Sequence, residues 1–242
     1  LIPFVVMVAF NTINSLLRTT YFELYQVMET AKYKWDSPLV VLAASVGIIV
    51  CFYLLMRAEW TKNIRIERLA LVYSAVVCLL IVLLFRSIVT CDSGSISDIA
   101  IEFMQGNYHA FEQGEYLYRY SFQIGFTALL EWIYRIFGVE NFIVFQLINI
   151  VCIVVILKML GKITRELFAD ECVGMVEAVL SMGMLPLFLF STFVYGDILG
   201  WSFGVCSIYY LIRYLKMDRW QNLLKAALLL TLGTIVKSNI NI

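Results

Sequence analysis

The sequence predicts an all-α polytopic membrane protein, and three observations carry that expectation. The 242 residues are 62% hydrophobic and only 15% charged, with a mean hydropathy of +0.85. Soluble domains average roughly 25% charged residues, and no water-soluble core could hide this much apolar surface. Uncharged runs recur at about twenty residues, the length that carries a helix across the ~30 Å hydrocarbon layer. Basic residues gather in three short loops instead of being spread along the chain.

Seven segments fit a crossing: 1–17, 38–56, 69–89, 141–160, 171–194, 198–215 and 221–240. Pro186 lies in the fifth, where a kink is tolerated if neighbouring helices satisfy the freed carbonyl. Residues 91–140 differ, carrying Asp92, Asp98, Glu102, Glu112, Glu115 and Glu131. The expected organisation is one transmembrane domain over 1–242 with a large outer loop at 91–140. A start on Leu1 and a stop at Ile242 are expected of the N-terminal part of a longer chain.

The basic loops set the orientation. Arg57, Lys62, Arg65 and Arg68 form one group, Lys158, Lys162 and Arg165 a second, and Arg213, Lys216, Arg219 and Lys225 a third. Loops rich in Lys and Arg stay in the cytoplasm. If 121–138 crossed the membrane, the second and third groups would be forced outside. That segment also holds Glu131 and Arg135, an i, i+4 pair on one helical face. It is therefore expected to lie at the outer interface. Residues 95–106 are expected to form a second amphipathic helix, with Ile96, Ile99, Ala100, Phe103 and Met104 on its apolar stripe. Ser95 with Asp98 reads as a capping box, and Gly106 as the stop.

Zero net charge supplies no field for nucleic acid. None of the six cysteines forms a CxxC pair, which removes a zinc site or a disulfide framework. With His109 the only histidine, His-based catalysis is not expected. The polar residues that remain collect on the outer side: Asp92, Arg119, Gln123, Tyr195, Asp197, Lys237 and Asn239, with Arg86 and Ser238 beside them. Ionisable groups at membrane depth are costly, so their gathering points to function. Each has a plainer reading. Asp92 fits a solvated loop residue, Asp197 a turn after Gly196, and Lys237 or Arg86 a side chain snorkelling to headgroups. Asn149 fits interhelical glue, and Tyr116, Tyr118 and Tyr120 an interfacial aromatic belt.

The run Asp92, Ala100, Gly106, Tyr116, Tyr120-Ser121-Phe122-Gln123, Gly125 and Phe137-Gly138 resembles the first outer loop of polyprenyl-phosphate-sugar-dependent membrane glycosyltransferases. These form the GT-C superfamily, which includes protein O-mannosyltransferases and lipid A aminoarabinose transferases. The likeness continues through Gln146 and Asn149, then Thr192 to Asp197, and ends in Lys237-Ser238-Asn239. Members often read Tyr-Pro-His-Gln at residues 120–123 and Lys-Pro-Asn at 237–239. The resemblance implies a sugar transferase of the cell envelope, multi-pass in the cytoplasmic (plasma) membrane with its site facing outside. Its partners would be a polyprenyl-phosphate sugar donor, a lipid, glycan or protein acceptor, and membrane lipid. Asp92 would then be the general base, Lys237 and Arg119 the cations for the donor phosphate, and Asp197, Gln123, Tyr195 and Asn239 groups that orient substrate or metal. A divalent cation, Mg or Mn, stays open as a cofactor.

Two other classes compete. A transporter or flippase for a lipid-linked or anionic solute should place ionisable groups near the midplane on broken helices, often in repeated halves. A non-catalytic scaffold needs no cluster of acids and bases at all. The discriminating observation is whether Asp92, Asp197 and Lys237 share one outward-facing cavity, and their separation by a whole bundle width would remove the enzyme reading.

Overall fold

The computed structural model describes residues 6–7, 10, 13–14, 17–25, 28–57, 66–85, 89, 91–168 and 171–237. Most of the first expected crossing, 1–17, and Arg86, Ser238 and Asn239 lie outside these residues. Contacts divide the chain into two compact units, Leu1–Asn63 and Ile64–Ile242.

The first unit holds an antiparallel hairpin of β1 (Arg18–Tyr25) and β2 (Met28–Trp35), then helix α1 (Pro38–Arg57). The hairpin is an addition to the expected all-α fold. It ends on the pair Arg18 and Trp35, with the guanidinium 4.0 Å from the indole centroid. Thr19 closes the same end by donating to Asp36 at 2.8 Å.

The second unit is helical throughout. Its long elements are α2 (Ile66–Leu84), α3 (Cys91–Met104), α5 (Ile124–Phe137), α6 (Phe142–Phe168), α7 (Glu171–Met182), α9 (Asp197–Met217) and α10 (Trp220–Val236). Two short helices, α4 (Tyr116–Arg119) and α8 (Leu185–Leu189), sit in the connections. Among the described residues, α2, α6 and α9 are long and apolar enough to span a bilayer, and the α7–α8 pair is a fourth candidate bent by 50°. The expected count of seven is not confirmed among the described residues. At ~1.5 Å per residue the 17 residues of α10 cover about 25 Å, a little short of a full crossing.

Burial is inverted relative to a soluble protein, as lipid requires. On α6 the side chains of Ile143, Leu147 and Val151 are exposed at i, i+4, i+8, whereas Gln146 and Asn149 are buried. The core behind that face joins Cys78 and Val82 of α2 to Ile153, Ile156 and Leu157 of α6 and Phe188 of α8.

Ion pairs fix the bundle's two ends. Glu67, opening α2, meets Arg165 near the close of α6 at 3.0 Å, and Arg213 and Lys216 at the close of α9 approach Glu166 at 3.9 and 3.5 Å. The opposite end holds the start of α9 and the residue after α10, where Asp197 meets Lys237. The close of α2 and the start of α6 therefore lie at that second end, and the described residues 91–141 between them stay there. Helix α5 obeys the charge parity: its 14 residues span about 21 Å at ~1.5 Å each, too few to cross. Glu131 and Arg135 pair at 2.7 Å as the i, i+4 spacing predicts, and Arg135 also donates to the Phe103 carbonyl of α3.

Two local expectations are corrected. Helix α3 begins at Cys91, so Ser95 sits inside it and donates back to the Cys91 carbonyl at 3.4 Å instead of forming a capping box. Its apolar stripe is buried as expected, and Gly106 beyond it adopts φ 77°. The kink expected at Pro186 is a full break, because proline opens a new helix, α8, after an interruption at Gly183 and Met184. The break frees carbonyls beyond it, and α6 satisfies them. Gln146 donates to the Thr192 carbonyl at 2.9 Å. Asn149 donates to Phe193 at 2.6 Å, with the Ser191 and Phe190 carbonyls at 3.4 and 3.5 Å. The glue role anticipated for Asn149 holds, although its partners are backbone groups.

Asn149→Leu removes the donor to the Phe193 carbonyl and is expected to cost about 1–3 kcal/mol. Thermal unfolding of the detergent-solubilised protein should show a lowered midpoint, and an unchanged one would remove the clamp.

Candidate active site

The site lies where α5, the α9 N-terminus and the α10 C-terminus meet. Two glycines allow the approach. A Cβ on Gly125 would collide with the Ile235 carbonyl, and one on Gly196 would stand 3.0 Å from the Val236 carbonyl and 3.4 Å from the Phe126 ring. The last turn of α10 therefore beds its backbone directly on α5 and on the turn before α9. The chain leaves α10 extended at Lys237, with φ −151° and ψ 108°.

That geometry delivers Lys237 into the interior. The residue is 4% exposed, so the snorkelling alternative is set aside. Its Nζ lies 3.7 Å from the Tyr195 ring centroid and 3.6 Å from Asp197 Oδ1. A cation over an aromatic face and beside a carboxylate retains its charge at modest cost. Asp197, in the first turn of α9, also meets the positive end of that helix. The 3.6 Å contact is looser than a hydrogen bond, so the ammonium keeps donors for another oxygen.

Gln123 is 2% exposed and closes the 3-10 turn ahead of α5. Its Nε2 donates to the Tyr195 hydroxyl, which ties the outer loop to the α8–α9 connection. Thr127 anchors the same turn by donating to the Gln123 carbonyl at 2.9 Å. Asp92 is exposed in the first turn of α3, behind Cys91 at φ 52°. This backbone conformation is strained for any residue with a side chain.

Tyr116 connects Asp92 to the rest. Burial pushes its phenol well above the usual tyrosine range, and the nearby Asp92 and Tyr195 push it the same way. Asp92 is thus close enough to oppose the phenol's ionisation, although the Tyr116 hydroxyl has no partner in good hydrogen-bonding geometry. The belt role expected for Tyr116 is corrected, whereas Tyr118 is exposed and free to serve there. Tyr120 packs on Tyr116 with ring centroids 4.9 Å apart.

The structure therefore brings together Asp92, Gln123, Tyr195, Asp197 and Lys237, and adds Tyr116. Arg119 is exposed at the end of α4, and no ion pair holds it among the described residues. Asn239 lies outside them. No group of three or more His, Cys, Asp or Glu gathers among the described residues. A hard cation asks for about six oxygen ligands; here Asp197 is committed to Lys237, so no step below is routed through a metal.

Fold and site together define a helical membrane protein with polar chemistry collected at one end of its bundle. Residues 124–242 match the family described as dolichyl-phosphate-mannose-protein mannosyltransferase. That stretch is similar to membrane glycosyltransferases of the GT-C type. Comparison with curated proteins gave no match, and neither did comparison with solved structures. The matched stretch holds Tyr195, Asp197 and Lys237; Asp92, Tyr116, Arg119 and Gln123 precede it.

Gly125→Ala forces the α10 terminus outward and Lys237 with it. The expected cost is about 1–3 kcal/mol, whereas Gly47→Ala, with nothing within 4 Å of the new methyl, is expected to be neutral or slightly stabilising. Comparing the two unfolding midpoints tests the contact.

Proposed function

We propose that the protein moves a sugar from a polyprenyl-phosphate donor to a lipid, glycan or protein acceptor on the outer face of the cytoplasmic membrane. The observation that supports this most is the buried Lys237, held between Asp197 and Tyr195 at the same end of the bundle as Asp92. A buried lysine in a membrane protein is retained where it is used.

In this reading Asp92 takes the proton from the acceptor hydroxyl or amine as its lone pair attacks the sugar's anomeric carbon. The bond from that carbon to the phosphate oxygen breaks, and its electron pair leaves with the polyprenyl phosphate. Lys237 meets the charge that grows there. Asp197 and the Tyr195 ring set where the ammonium stands, and Arg119 serves as a second cation at the rim. Asn239, Gln123 and Tyr195 orient the substrate.

A transporter reading draws on the broken α7–α8 helix, a common device of solute sites. Against it, Gln146 and Asn149 already occupy carbonyls 190–193 that such a site would offer an ion.

The test is transfer from a panel of polyprenyl-phosphate sugars in membranes carrying the full-length protein. Asp92→Asn is expected to lower the rate by about 10²–10⁴, and Lys237→Met by roughly 10²–10³. Transfer unchanged in Asp92→Asn would remove Asp92 as the base.

Orientation has its own test. In a chain whose native cysteines are replaced by serine, an impermeant thiol reagent should label Glu115→Cys on intact cells and spare Lys216→Cys. The reverse pattern would place the site in the cytoplasm.

A further inference from the structure

We infer that Tyr116 and Gln123 together read one hydroxyl group of the substrate, an assignment that rests on the transferase reading above. Two buried polar atoms here have no partner in good hydrogen-bonding geometry, Gln123 Oε1 and the Tyr116 hydroxyl, which lies beside Asp92. Buried polar atoms are almost always paired, so two orphans bordering one site call for a ligand. Both side chains border Tyr195. Gln123 bonds its hydroxyl through Nε2, and Tyr116 shares with Tyr195 the apolar cluster around Ile96, Phe126 and Val236. Tyr116 also neighbours Asp92, the proposed base.

The chemistry of the two atoms selects the group they take. An amide carbonyl oxygen only accepts hydrogen bonds, whereas a phenol hydroxyl donates one. A ligand atom serving both must donate to Gln123 and accept from Tyr116. A hydroxyl does both; a phosphate oxygen has no hydrogen to give, and an ammonium has no lone pair. The phosphate therefore belongs with Lys237, and the hydroxyl belongs here. That group comes either from the transferred sugar or from the acceptor beside its nucleophile. Both residues precede the stretch that matches the family, so this recognition is carried by a segment outside the match.

The experiment uses full-length protein in membranes, the lipid-linked sugar with its monodeoxy analogues, and acceptors lacking one non-nucleophilic hydroxyl. Wild type is expected to reject one analogue by roughly a hundredfold in kcat/KM, because the orphaned atoms stay unpaired. Tyr116→Phe and Gln123→Met should erase that preference, transferring parent and analogue at similar efficiency. A donor analogue that behaves this way assigns the hydroxyl to the sugar, and an acceptor analogue assigns it to the acceptor. Because the readout is a ratio within one variant, it does not depend on how much protein folds. The inference is overturned if both variants keep the wild-type preference against every analogue. That result, with Asp92→Asn inactive, would spare the transferase reading; wild type transferring from no lipid-linked sugar would remove both.

Discussion

A broken helix surrounded by hydrocarbon exposes carbonyl groups that no water can reach, and this protein's site end depends on how they are satisfied. Gln146 and Asn149, one turn apart on the buried face of α6, donate to the backbone between Phe190 and Phe193. The clamp permits the 50° bend after α7 and fixes the segment that leads into Tyr195 and Asp197. Without it the N-terminus of α9 would have no defined position against α6. An amide side chain in lipid contributes modestly to helix association in general. Here its effect is concentrated, because the two amides serve neighbouring carbonyls of one short segment.

The second constraint is electrostatic. A lysine that is 4% exposed needs partners where water cannot reach it. Asp197 answers with an ion pair and Tyr195 with its ring face. Deleting Asp197 would leave the buried ammonium without its carboxylate, so the two residues are coupled in stability. Tyr195 is shared: its face supports the cation and its hydroxyl accepts from Gln123. One aromatic side chain thus joins the outer loop to the ends of α9 and α10.

Much of this was legible in the sequence. Hydropathy located α2, α6 and α9, and counting basic residues kept α5 from being read as a crossing. Asp92, Gln123, Tyr195, Asp197 and Lys237 were picked out as ionisable or polar residues at helix ends; Gln123, Tyr195, Lys237 and Asp197 contact one another in turn, and Asp92 lies beside Tyr116. What stayed hidden depends on three-dimensional approach. Gly125 carries no local mark of the α10 backbone lying against it, and only its place in the family pattern drew attention to it. Tyr116 looks like its neighbour Tyr118, and burial alone separates them. Pro186 was visible, but whether a proline bends a helix or ends it turns on the donors that α6 provides. The alternating Thr20, Phe22 and Leu24 against Tyr21, Glu23 and Tyr25 is a strand signal that the helical reading passed over.

The seat of α10 on Gly125 and Gly196 is a contact of main chain against main chain. Its depth is set by peptide atoms, which do not change rotamer and are the same whatever side chains decorate the rest of the helix. The lipid-facing Leu228 and Leu232 are exposed, and their identity leaves the height of the terminal lysine untouched. Toward its far end α10 also packs along α9, where Ser207 donates to the Ala226 carbonyl at 2.8 Å and Lys225 stands 5.3 Å from the Tyr210 ring centroid. Held both at its glycine seat and along α9, α10 meets a thinner or thicker bilayer by tilting together with that helix, so the height of Lys237 relative to Asp197 stays the same.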